Sequence, residues 1–314
     1  MKILFTIICT LIILNAKDIE PTFILKSKGF VNDFVIDKTK LYVANDEGSV
    51  EVFDIVTKKL VDEIFIEPTL TKKQEWQNVR ILSVDRHNDK TLIVSSTVNA
   101  FRNVWLHDGK DLKHIIKIKD KVSIKEARFI SDEKFLFGTL GYEMILYNTN
   151  DSYNKYKVQM EQSSFSDLAV SEDKTTMVTA SESGQITISD VKTGKIIDQP
   201  KALNLDKVYQ VDYKNGTIIT AGQDRRVGIY PKNGKPYYLK SDFLVYSASL
   251  SPSGKIGIYS SSVNSDLQVF NTKTSKKLQK LVGHYAIPTT IKFFDEKGLF
   301  SAGYENKIFY WRLK

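Results

Sequence analysis

The sequence predicts an all-β chain folded as a ring of seven like units, and three observations carry that expectation. The first is a repeat. Phe53, Trp105, Tyr147, Ser189, Tyr230, Phe270 and Trp311 each stand near the end of a short apolar stretch, at intervals of 52, 42, 42, 41, 40 and 41 residues. The second is alternation before each anchor, as in Val50-Glu51-Val52 and Ile186-Thr187-Ile188, which gives a strand one apolar and one polar face. The third is a pair of turn signals in each period. One series follows the anchors (Thr57-Lys58, Gly109-Lys110, Thr193-Gly194-Lys195, Asn233-Gly234-Lys235, Thr274-Ser275-Lys276), and another precedes them (Asp37-Lys38, Asn88-Asp89, Asp132-Glu133, Glu172-Asp173, Asn215-Gly216, Ser253-Gly254, Lys297-Gly298). No long helical pattern appears. Four-stranded units of about 40 to 45 residues are propeller blades, so the expected fold is a seven-bladed β-propeller.

Taken in order, the chain opens with Lys2, an apolar run from Ile3 to Leu14, and Asn15-Ala16, the layout of a cleavable signal peptide over residues 1–16. The run is shorter than the roughly 20 residues that cross a bilayer. A propeller over 17–314 in a bacterial periplasm is therefore expected. Cys9 is the one cysteine of the sequence and falls inside this leader, which leaves the remainder without a disulfide or a thiolate metal site. The net charge is +8, yet the lysines are dispersed and form no run of five, so the chain is not expected to bind nucleic acid. The last anchor lies three residues from Lys314, which leaves the seventh unit one strand short. Residues 22–28 alternate like a strand and are expected to complete it, closing the ring from the other end of the chain and removing two open edges.

Residues 281–314 resemble the WD-repeat unit. Gly283-His284 stands near its start and Trp311 near its end, with Arg312 in place of the usual Asp. The resemblance implies a hydrogen-bonded network inside the blade, formed by His284, Ser301 and Trp311 with Glu305 in the place of an Asp. Residues 41–64 also resemble the YVTN type of bacterial propeller repeat. As a whole, the export signal, the cysteine-free body and the seven degenerate units resemble the NapL-type accessory proteins of periplasmic nitrate reductase systems. That resemblance implies a non-catalytic helper in maturation of the reductase or in electron supply, with periplasmic protein clients that include nitrate reductase components.

No catalytic, cofactor or metal constellation is legible. The four histidines have no metal-ligand spacing: His87 and His107 fall in predicted turns, His114 in a strand, and His284 in the Gly-His motif. Asp224, followed by Arg225 and Arg226, reads as a turn cap rather than a base. The chain is accordingly expected to be a protein-binding scaffold and not an enzyme. The alternatives are a lactonase- or quinoprotein-like enzyme working through an axial pocket, and an envelope scaffold unrelated to nitrate.

The wide first interval locates a docking surface. Its extra residues lie in 68–78, which carries Trp76 and runs on to Arg80, and in 96–103, which carries Phe101 and Arg102. Both connections open on one face of a WD propeller and are expected side by side at the second blade. Trp76, Arg80, Phe101 and Arg102 are thus the expected partner-binding residues, since aromatic and arginine side chains dominate interface energetics, and the alternative is that Trp76 and Phe101 fold back to cover the blade edge.

Overall fold

The computed structural model describes residues 18–70, 73–97 and 99–314, and the leader expected over 1–16 lies outside them. The described chain forms seven four-stranded antiparallel sheets and one two-stranded hairpin. Blades 1 to 6 occupy residues 31–65, 81–116, 124–159, 165–198, 208–240 and 248–281, and blade 7 combines 288–312 with Phe23–Lys26. Each of the seven anchors lies in the third strand of its blade. The only helical element among the described residues is a single 3-10 turn, Ile118–Asp120, and no described helix is long and apolar enough to cross a membrane.

A sheet with two apolar faces must bury both, and a ring meets this demand by packing each blade against two neighbours. Seven buried hydrophobic clusters result, one at each blade-to-blade boundary. Between blades 2 and 3, Leu92, Val94 and Ile116 meet Phe129, Phe135 and Phe137. Between blades 6 and 7, Ile258, Leu267 and Val269 meet Phe309 and Trp311. The first strand of every blade is innermost, and these strands pack against one another in ring order around the axis.

Closure follows the sequence expectation, with the strand trimmed to Phe23–Lys26. It pairs antiparallel with the third strand of blade 7, Phe23 opposite Tyr310 and Leu25 opposite Ile308. The tie extends further back than residue 22. Ile19 is buried and bridges Leu281 of blade 6, with its N–H on the Lys280 carbonyl at 2.8 Å. One segment therefore staples the last two blades together.

His87 and His107 correct the sequence reading, since each ends a strand rather than lying in a turn. The hydrogen-bond ladder runs up to the turn residues themselves, with His87 opposite Lys90 across Asn88-Asp89 and His107 opposite Thr91.

Candidate functional site

An innermost strand is the edge of its sheet, with unpaired backbone groups turned towards the axis. This chain covers those edges with side chains from neighbouring blades. The third residue of six inner strands is polar, Asp33, Ser83, Glu126, Asp167, Gln210 and Thr290, and in blade 6 polar Ser247 stands just before the strand Ala248–Leu250. In six of the blades the pairing register shifts here, and such a bulge re-aims a side chain. Asp33 accepts the N–H of Val84 in blade 2 at 3.1 Å, and Asp167 accepts that of Val211 in blade 5 at 2.7 Å. Gln210 accepts the N–H of Ala248 at 3.0 Å, and Ser247 donates to the Pro288 carbonyl at 2.8 Å. Asp85 and Asp212, two residues further along, accept from Phe129 and Leu250 at 2.8 and 2.9 Å. Lys292 closes the circle from blade 7 to Asp33 at 2.8 Å.

The junction of blades 3 and 4 is the exception. Glu126 does not reach into blade 4; its Oε1 is taken by Arg128, and the junction is spanned by Lys125 donating to the Ser166 carbonyl. Two polar atoms are left there without partners, Glu126 Oε2 and Ser166 Oγ, in side chains whose residues are 8% and 3% exposed. Both residues line an axial cavity of about 660 Å³.

Charge in this cavity is balanced by neighbours. Burial works against ionisation of Asp33, yet Lys292 and Arg128 overcome it and hold the carboxyl below its usual range. Burial pushes Glu126 up against the attraction of Arg128. Burial, reinforced by Glu126, pushes Asp167 well up. Lys125 is lowered by burial, whereas Arg128, equally enclosed, binds its proton more tightly than usual because Glu126 and Asp33 face it. No group of three or more His, Cys, Asp or Glu among the described residues is arranged to hold a metal ion.

The blade 7 network is assembled at hydrogen-bond distance. His284 Nε2 lies 2.7 Å from Ser301 Oγ, His284 Nδ1 lies 2.9 Å from Glu305 Oε1, and the Trp311 indole N–H donates to Ser301 Oγ at 2.7 Å. The Arg312 side chain turns outward to Asp295 and takes no part. A second copy, not read from the sequence, stands in blade 5. Asn204 occupies the place of His284, accepting from Thr220 at 2.6 Å and donating to Asp224 at 3.0 Å. Thr220 and Asp224 precede Tyr230 by the same 10 and 6 residues that separate Ser301 and Glu305 from Trp311. Asp224 does cap its turn, through the Arg226 N–H at 3.2 Å, and also holds the Leu205 N–H at 2.8 Å.

Blade connections and second-to-third-strand turns emerge on one face, here called upper. The extra residues after blade 1 form a hairpin, Thr69–Leu70 with Trp76–Gln77, and Trp76 is 74% exposed at its end. Arg80 and Ser96 exchange backbone and side-chain hydrogen bonds at 2.8 Å, which sets this connection beside the 96–102 loop of blade 2. Phe101 is half-buried in that loop, where Thr97 and Asn99 fold the chain back on itself. Arg80 and Arg102 turn inward to the axial cavity; Trp76 and Phe101 are not part of its lining. The four expected partner-binding residues thus divide between two places on the upper face. The axial polar ring and the blade 5 network were missed in the sequence. One polar residue 20 to 23 positions before every anchor was the signal for the ring, and the shared 10- and 6-residue spacing to the anchor was the signal for the blade 5 network.

Together the sheets and their closure define the protein as a seven-bladed β-propeller. A crystal structure of the computationally designed Ika8 protein is similar over 94% of this chain and 99% of that one, with a TM-score of 0.65 at 15% identity, a likeness of fold alone. No protein-family model and no curated protein sequence matches the chain.

Proposed function

We propose that this propeller is a non-catalytic, WD40-like scaffold of the bacterial periplasm that docks a protein client on its upper face. One observation carries the reading. Among the described residues twenty large apolar side chains are exposed; nine sit on upper-face loops, two on lower-face turns, and the others on outermost strands. Phe30, Trp76, Leu205, Val263, Tyr285 and Tyr304 are each more than half exposed on that upper face. Exposed apolar groups gathered on one side of a folded protein mark an interaction surface, and Trp and Tyr are the side chains that most often dominate binding.

The leader of residues 1–16 supports export, and the layout that resembles NapL-type proteins supports a client in the periplasmic nitrate reductase system, served in maturation or electron supply. Affinity capture from periplasm, with the Trp76→Ala/Tyr285→Ala double variant as control, tests both parts. A discrete client retained by the parent and lost by the variant is expected. Capture of no specific protein by the parent contradicts the docking reading. Capture of a client outside nitrate respiration contradicts only the assignment of the client.

A further inference from the structure

We infer that the axial cavity at the junction of blades 3 and 4 is a binding site for a small carboxylate anion, received by the Glu126 carboxyl and the Ser166 hydroxyl. Six of the seven junctions use their inner-strand side chains to cover the neighbouring edge, and each of those side chains is satisfied by doing so. At this one junction Lys125 makes the link from one residue earlier, and Glu126 Oε2 and Ser166 Oγ are left buried and unpartnered in a cavity large enough for a metabolite. A buried polar atom without a partner keeps its desolvation cost uncompensated, so a ligand that satisfies both recovers that cost.

The surrounding charge chooses the sign of the ligand. Seven lysines and arginines line the cavity against five carboxylates, with Arg80 and Arg102 at the upper mouth and Lys174 and Lys214 at the lower. An amine meets repulsion at either entrance, whereas an anion is drawn in. The carboxylates inside are already engaged: Asp33 by Lys292, Asp85 by the Phe129 N–H, and Asp212 by Ser249 and Leu250. Glu126 and Asp167 are the two that burial holds towards their protonated forms. With Oε1 accepting from Arg128, a proton taken up by Glu126 goes to Oε2, which then joins the Ser166 O–H as a donor lacking an acceptor. Two donors from residues that line one cavity can serve the two oxygens of a carboxylate.

Binding is then linked to protonation. Glu126 is faced by Arg128 and Lys125 on its own strand, Asp167 on blade 4, Asp33 on blade 1 and Lys292 on blade 7, while Asp85 of blade 2 faces Arg128. As pH rises through the raised value of Glu126, the donor becomes a second acceptor and the anion is expelled.

Isothermal titration of the purified protein with acetate, succinate, citrate and benzoate, against chloride and sulfate at equal ionic strength, decides the matter. Saturable binding of at least one carboxylate is expected, and it should weaken as pH rises through the raised value of Glu126. Ser166→Ala and Glu126→Ala should each weaken it at least fivefold, and Glu126→Gln, whose amide still donates, should bind with a flattened pH profile. Ser166→Ala carries the test if Glu126→Ala fails to fold. Absence of saturable binding by the whole panel, equal binding of sulfate, or affinity unchanged in Ser166→Ala overturns the inference.

Discussion

Ser301 Oγ stands 2.7 Å from the Trp311 indole nitrogen and 2.7 Å from His284 Nε2, so a single hydroxyl joins the last strand of the chain to the connection that enters its blade. Trp311 can only donate to the hydroxyl, and the Glu305 carboxylate accepts from Nδ1–H, so in the neutral ring the bare Nε2 accepts from the Ser301 hydroxyl. Trp105 and Ser95 repeat the first of these bonds in blade 2 at 2.9 Å. Ser301→Ala strips both partners of a buried bond, and a loss of about 1–3 kcal/mol in denaturant unfolding is expected, against well under that for Ser183→Ala on an exposed turn.

This tautomer has a consequence for pH. Burial lowers His284 from its ordinary value of 6.5, and Glu305 opposes the shift only in part. The unfolded chain therefore takes up a proton near 6.5 that the folded chain resists until lower pH. Stability is fully present above the unfolded value and falls as pH drops through the window between the two. His284→Asn, which copies the Asn204 of blade 5, should flatten the decline between pH 7.5 and 5.5 in thermal melts. A parent and variant that decline in parallel would show that His284 is already charged in the fold.

Glu126 has the opposite sign. Its folded value is raised, chiefly by burial, so its contribution is complete below the unfolded value of 4.5 and is lost as pH rises through the folded one. Glu126→Gln keeps the shape and removes the titration. Its melting temperature relative to the parent should climb from pH 5 to pH 8, and a constant difference would contradict the raised value.

Ring closure predicts the largest stability effect. Leu25 is buried between blades 7 and 1, and Ile19 beside Trp311 between blades 6 and 7. Leu25→Ala should cost about 2–5 kcal/mol, and removing residues 18–28 should lower the melting temperature of the whole ring rather than of one blade. A truncated protein that melts like the parent would refute the staple.

Repetition explains what the sequence revealed. A blade's period, turns and anchor aromatics are local, so Phe53 to Trp311 placed every third strand, and the shortfall after Trp311 placed the closing strand. The blade 7 network was legible because its four members are close in the chain and of familiar type. Blade 5 performs the same bonding with Asn204, Thr220 and Asp224, chemically disguised and therefore overlooked. The axial cavity was hidden for a different reason. Asp33 and Lys292 are 259 residues apart and meet only when the ring closes. Trp76 and Phe101 share a face, as their connections required, but loop-internal bonds from Thr97 and Asn99 half-bury Phe101, a detail that no periodicity encodes.

Docking on the upper face is the central claim, and site-specific photocrosslinking in intact cells tests it most directly. A benzophenone amino acid placed at Trp76 or Tyr285, on the upper face, should yield a discrete adduct with a second protein. The same probe at Val56, equally prominent on the lower face, should yield none. Adducts absent from both upper positions, or matched in identity and yield at Val56, would contradict the account.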